Sequence, residues 1–417
     1  MNKRKILLTI IIVLSVLLIS TFIIALKKHD FSNKSNNTNT INNINKGGSY
    51  TITGNSSSIT INTKEDVELT LDNVTINSKN GPAINVISAG KVTIILNGDN
   101  SITANTTETL DGAIYSKDDL IIQGDGSLTI KSNYDGIVSK DSLTINGGTY
   151  TINSDDDGIR GKDSVEITGG KFNITSNGDG IKTTNEEETD KGYINITGGT
   201  FNINSKNDGI QAVTNLYIKE GTFNIKTTGD SNVSSKGIKS GSLITIDGGT
   251  FEIETTDDSI HSNGNIVINN GTFNINTDDD AIHADGMIEI NNGTYSINAH
   301  EGIEGTYIKI NDGKININAS DDGINAGNKS KEYSAKVEIN GGNITIKMGQ
   351  GDTDGVDSNG DIIINGGTID ITGQSTFDYD GTGIINGGKV ICNGSEVTTL
   401  PNQFMGGNGG NRQMLRR

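Results

Sequence analysis

From residue 47 onward the chain alternates apolar and polar positions. In the stretch "NGTFNINTDDDAIHADGMIEINN", Phe273 and Ile275 share one side of a two-residue period, and Ile282 stands alone after an acidic turn. Ile288 and Ile290 then resume the alternation. Successive side chains of a strand point to opposite faces, so this pattern predicts three short strands with inward apolar residues, separated by Gly, Asn and Asp turns. No 3.6-residue periodicity occurs after residue 26, and no helix is expected there.

The pattern repeats. A Gly-Gly or Asn-Gly followed by Thr or Lys and an aromatic recurs as "GGTYTI", "GGKFNI", "GGTFNI", "GGTFEI", "NGTFNI" and "NGTYSI". From Gly148 to Gly388 successive second glycines are 22, 29, 22, 28, 22, 22, 20, 29, 25 and 21 residues apart. A fixed period in the twenties is the mark of a solenoid. The leucine ladder of a leucine-rich repeat is missing, and so is the nine-residue period of a calcium-binding roll. What remains is an all-β fold, a parallel β-helix with three strands per ~22-residue coil; about fourteen coils over residues 47–400 would give a rod of roughly 65–70 Å. Tyr150, Phe172, Phe201, Phe223, Phe251, Phe273 and Tyr295 occupy one repeat position in phase with inward isoleucines. They read as an internal stack, which leaves few aromatics for a sugar-binding face.

The first 26 residues differ. Ile6 to Leu26 is 21 residues without a charge, preceded by Lys3, Arg4 and Lys5 and followed by Lys27 and Lys28. A helix of that length rises ~30 Å, enough to cross the hydrocarbon core, whereas a secretory signal has an apolar region of only ~7–15 residues. Residues 1–26 are therefore expected to form a transmembrane helix, a single-pass membrane anchor with the β-helix extracellular; cleavage as a signal segment, giving a secreted chain, is the alternative. Residues 27–46 are Asn-rich and read as a disordered tether, and residues 401–417 as a disordered Gly-rich tail.

Charge narrows the partners. A net charge of -18 and a pI near 4.6 exclude nucleic acid, which needs a basic surface. The single cysteine, Cys392, excludes an intramolecular disulfide and a cysteine metal cluster.

Two further columns carry candidate chemistry. Asp-Gly-Ile and its variants recur at Asp111, Asp135, Asp157, Asp179, Asp208, Asp258, Asp280, Asp322 and Asp354. A position repeated in nearly every coil fits a turn that every coil needs, the carboxylate accepting hydrogen bonds from turn amides. The additional aspartates are irregular, and carboxylates stacked ~4.8 Å apart repel by ~3.5 kcal/mol at an effective dielectric of 20. Calcium takes oxygen ligands at ~2.3–2.6 Å, so one ion fits between equivalent carboxylates of adjacent coils. The candidate Ca²⁺ clusters are Asp155, Asp156 and Asp157 with Asp179; Asp257 and Asp258 with Asp278, Asp279 and Asp280; and Asp321 and Asp322 with Asp352 and Asp354. A solvated acidic ridge is the bland alternative. Arg160, Lys182, Gln211, Lys239, His261, His283, Glu304, Asn325 and Asp357 share one outward position just after the Asp column. Of these, Arg160, Lys182 and Lys239 are candidates to meet an acidic polysaccharide, and His261 and His283 are in phase for a transition metal that lacks a third ligand.

The apolar N-terminus, the "GGTF-x-I … DDGI … I-x-I-x-GG" coils and the Gly-rich tail resemble a clostridial family of surface carbohydrate-binding proteins over roughly residues 47–410. The resemblance implies a pectate-lyase-like right-handed β-helix that contains calcium and recognises polygalacturonate and cellulose. It carries calcium ligands over only as acidic residues at coil corners. The expected function is non-catalytic binding of acidic or plant-wall polysaccharide at the cell surface with the help of calcium. A calcium-dependent pectate-type lyase is the alternative, with Arg160, Lys182 or Lys239 as base. A surface adhesin or structural spacer is the third reading.

Overall fold

A computed structural model describes residues 36–37, 42–229, 233–351 and 353–402. The apolar segment 1–26, Asp352 and the tail beyond residue 402 lie outside them. The described residues form strands and turns only, and no helix among them is long and apolar enough to cross a membrane.

Each coil contributes three strands, as Thr250–Thr255, Ile260–Ser262 and Asn265–Ile268 show. Each of these pairs in parallel with its counterpart one repeat on: Phe251 with Phe273, His261 with His283, and Ile266 with Ile288. From Asn43–Ile44 to Ser375–Tyr379 the middle strands make fourteen successive parallel pairings, hence fifteen levels. The Phe, acid-corner and Ile strands therefore build three sheet faces around one core. The last level closes differently. Lys389–Cys392 turns back into an antiparallel pair with Ser395–Val397, which occupies an edge that would otherwise offer unpaired amides.

The core is the inward half of the two-residue pattern. Its isoleucines are fully buried, and the seven aromatics form one continuous stack with centroids 4.6–4.8 Å apart and planes within 2–4°. The backbone spacing of parallel strands fixes that separation, so the rings stack because the coils do. Gly221 shows why glycine precedes the aromatic. Its φ is 148°, and a Cβ there would lie 2.8 Å from a ring carbon of Phe223.

Asparagine has its own register on the surface. Asn291, Asn311, Asn340, Asn365 and Asn386 each donate Nδ2 to the Oδ1 of the asparagine one coil earlier, at 2.7–2.9 Å, starting from Asn269. This amide ladder follows the third face and explains much of the asparagine content, which composition alone left without a role.

Candidate functional site

The acid corner lies where the Phe strand turns into the middle strand. The turn needs its aspartate for a structural reason. Asp157 donates its backbone N–H to Asp135 Oδ1 (2.9 Å), Asp179 to Asp157 Oδ1 (2.8 Å), and Asp208 to Asp179 Oδ1 (2.8 Å). The relay continues with the Lys236 amide on Asp208 Oδ1, the Asp280 amide on Asp258 Oδ1, and the Asp354 amide on Asp322 Oδ1. One oxygen of each of these carboxylates thus binds the amide of the next coil, and the carboxylates stack into a largely buried ladder.

The second oxygen faces the neighbouring column, and the register of that column is as the repeat spacing suggested. Arg160, Lys182, Gln211, Lys239, His261, His283, Glu304, Asn325 and Asp357 are consecutive partners. Its basic members lie on the ladder. Arg160 pairs with Asp111 and with Asp135 Oδ2 (2.6 Å). Lys182 sits 2.6 Å from Asp179 Oδ2 and 3.7 Å from Asp157 Oδ2, and Lys239 sits 3.2 Å from Asp208 Oδ2. Lys236, which takes the aspartate's own slot in "SKGI", reaches Asp257 and Asp258 Oδ2, the latter at 2.9 Å. His261 and His283 complete the run on Asp258 and Asp280.

The charges settle accordingly. Burial would raise Asp258, but the hydrogen bond from His261 and the charge of Lys236 hold its carboxyl well below the usual range. Burial would lower His283, yet hydrogen bonds to Asp280 and Glu304 push it up to about 10. Burial likewise opposes charge on Arg160 and Lys182, and in both the adjacent aspartates win and raise the pKa.

Beyond His283 the facing column turns to Glu304, Asn325 and Asp357, followed by Asp378 as the partner of Asp357. Lys329 answers Glu304 at 2.6 Å. No ion pair is formed there by Glu301, Asp321, Asp322, Asp357 or Asp378 among the described residues. Burial and neighbouring carboxylates push Glu301 up to about 8 and Asp322 to about 7; burial with Asp354 and Asp378 pushes Asp357 to about 6. Two hydroxyls beside this end, Thr353 Oγ1 and Ser375 Oγ, are buried without a hydrogen-bond partner among the described residues.

The predicted clusters therefore fall into two kinds. Asp157, Asp179, Asp257, Asp258 and Asp280 are answered by side-chain cations, while Asp155, Asp156, Asp278 and Asp279 stand at the exposed rim of the same corner. Asp321 and Asp322 form no ion pair among the described residues, Asp354 donates its amide to Asp322 from the next coil, and Asp352 lies outside the described residues. Sequence reading passed over Lys236, Glu301 and Lys329. "SKGI" and "EGI" were the available signals for the first two, since each occupies the Asp-Gly-Ile slot.

Comparison with known proteins adds three findings. No curated protein matches the chain. It is similar to a solved structure described as the polysaccharide lyase-like protein from C. thermocellum (gadolinium derivative), with 32% identity over 52% of this chain and 91% of that one and a TM-score of 0.46. The family model for carbohydrate-binding domain-containing proteins matches residues 37–281 and 277–400, nearly the whole stack of coils, and the chain belongs to that family.

Proposed function

We propose that the chain is a non-catalytic binder of acidic or plant-wall polysaccharide, held outside the cell by its N-terminal segment, with right-handed coils and with calcium at the C-terminal end of the acid ladder. Family membership supports carbohydrate as the ligand class. One observation carries the choice of binding over lyase chemistry. A base that removes a C5 proton needs a lowered pKa, and the ladder carboxylates act in the opposite direction on Arg160 and Lys182. Each is also engaged with two carboxylates, and Lys239, the third candidate base, is held by Asp208 Oδ2 at 3.2 Å and donates to Ser234 Oγ at 2.9 Å.

The donor set supports calcium at one end of the ladder and disfavours it in the middle. Between Asp157 and Asp179 the position is filled by Lys182. At Glu301, Asp321, Asp322 and Asp357 several hard oxygens gather and form no ion pair among the described residues, with His300 within 4.8 Å of the first two and the hydroxyls of Thr353 and Ser375 without a hydrogen-bond partner among the described residues. Six to eight oxygen ligands suit Ca²⁺, and a bound ion of that kind supplies positive charge to a polyuronate carboxylate. The protein's own part is to hold these carboxylates in vertical register and to keep one face of them open to solvent.

Calorimetric titration of polygalacturonate into full-length protein, with calcium and then with chelator, tests the reading. Saturable binding that chelator abolishes is expected, with no conjugated unsaturated uronate appearing in the ultraviolet. Accumulation of that product, or binding indifferent to chelator, contradicts it.

A further inference from the structure

The histidine segment of the ladder carries a donor set that the calcium reading does not use. His261 and His283 are register partners on adjacent coils, with ring centroids 4.8 Å apart. Each turns Nδ1 onto the ladder carboxylate of its own coil: His261 onto Asp258 Oδ2 and His283 onto Asp280 Oδ2, both at 2.7 Å. His283 Nδ1 also lies 3.8 Å from Asp258 Oδ2 and 3.0 Å from Glu304 Oε2. Ligand atoms of Asp258, His261 and His283 all fall within 4.8 Å of one another, and so do those of Asp280, His283 and Glu304. Two ligand atoms on one metal ion at ~2.0–2.2 Å are themselves separated by roughly 3–3.5 Å, which these distances bracket.

Chemistry and placement agree. Imidazole with carboxylate suits borderline transition ions, whereas calcium takes oxygen alone. Both imidazoles are only 12% exposed, so their rings are already held by the coil on either side. An ionised carboxylate only accepts, so Nδ1 carries the hydrogen in both contacts. The third ligand that sequence spacing could not supply is Asp258, whose Oδ2 is shared between the two histidines.

We propose that the protein binds one divalent transition-metal ion, zinc being the best chemical match, through Asp258, His261 and His283, with Asp280 and Glu304 forming a second triad around the same His283. Binding exchanges the ion for the Nδ1 hydrogens: a protonated imidazole releases that proton to solvent, and a neutral one carries its hydrogen on Nε2 instead. Lys236 keeps Asp257 as its partner, and Lys329, 31% exposed, is free to turn outward. The site stands independently of the carbohydrate reading, and its loss would not remove the calcium end of the ladder.

Full-length, metal-free protein in detergent is titrated with ZnCl₂ by calorimetry and with CoCl₂ by visible absorption. One equivalent of zinc and a Co²⁺ d–d spectrum are expected, with millimolar calcium failing to displace either. His261→Ala and His283→Ala each weaken zinc by about 10–100-fold or more, the double variant loses it, and Glu254→Gln on another face changes nothing. If either alanine variant loses its β circular-dichroism spectrum, His261→Asn and His283→Asn replace them in the same test. Absence of both heat and cobalt spectrum overturns the proposal, as does zinc binding that survives the double variant.

Discussion

Replacing Lys182 by methionine tests the ladder at its best-defined point. The ammonium lies 2.6 Å from Asp179 Oδ2 and 3.7 Å from Asp157 Oδ2, and both carboxylates are buried. At an effective dielectric of 20 these contacts correspond to gross attractions of about 6 and 4.5 kcal/mol, against which the lysine's own desolvation stands. Breaking a buried pair by removing one partner costs about 3–5 kcal/mol; Lys182 is 27% exposed, which places the expected loss near 3. Coils touch mainly their neighbours, so the damage is local and hydrogen exchange across residues 155–182 reads it directly. About 3 kcal/mol is roughly a hundredfold faster exchange there. The pH dependence gives the sign. Burial already lifts Asp179 to about 6 against the pull of Lys182, and a raised acid costs stability as pH rises through its folded value. Without the lysine the value moves further up, so the deficit is large at pH 8 and shrinks at pH 5. A loss below ~1 kcal/mol, the range of exposed pairs such as Lys226–Glu254, or one equal at both pH values, refutes the buried-ladder reasoning.

Other outcomes follow from the same geometry. Phe223→Ala, at a fully buried rung of the aromatic stack, is expected to cost about 3–5 kcal/mol in chemical unfolding. Metal-free protein should lose protection at residues 301–358 as pH rises from 5 to 8, because Glu301, Asp322 and Asp357 ionise with folded values of about 8, 7 and 6; calcium should reverse that loss. Asp322→Asn combined with Asp357→Asn should weaken calcium binding by calorimetry while raising stability at pH 8 without calcium. Asn311→Ala breaks a surface amide ladder and should shift the unfolding midpoint by no more than about 1 kcal/mol in free energy.

Much of the architecture was readable because strand side chains obey a period of two and coils a period near 22. Those two numbers place Phe273 under Tyr295 and His261 under His283, and the structure pairs them so. Insertions did not blur the register, since "NEEETDKGY" and "GNKSKEYSAK" leave at corners and return in phase. The candidate site was legible only in part. Spacing showed a basic column beside an acidic one but not that the two touch, because contact depends on side-chain direction at a corner. Lys236 was hidden by chemistry, a cation in an aspartate's slot whose amide serves the preceding carboxylate while its ammonium serves the next. The Asn269–Asn386 ladder was hidden by abundance, since each asparagine looked like an ordinary turn residue.

The central claim is that this ladder carries its own cations through its middle, whereas among the described residues Glu301, Asp322 and Asp357 near its C-terminal end form no ion pair. Anomalous-difference density from a calcium-soaked crystal of the protein measures that division directly. A peak is expected among Asp322, Asp357 and Glu301, and none between Asp157 and Asp179. A peak in place of the Lys182 ammonium, with nothing at the C-terminal carboxylates, would contradict it.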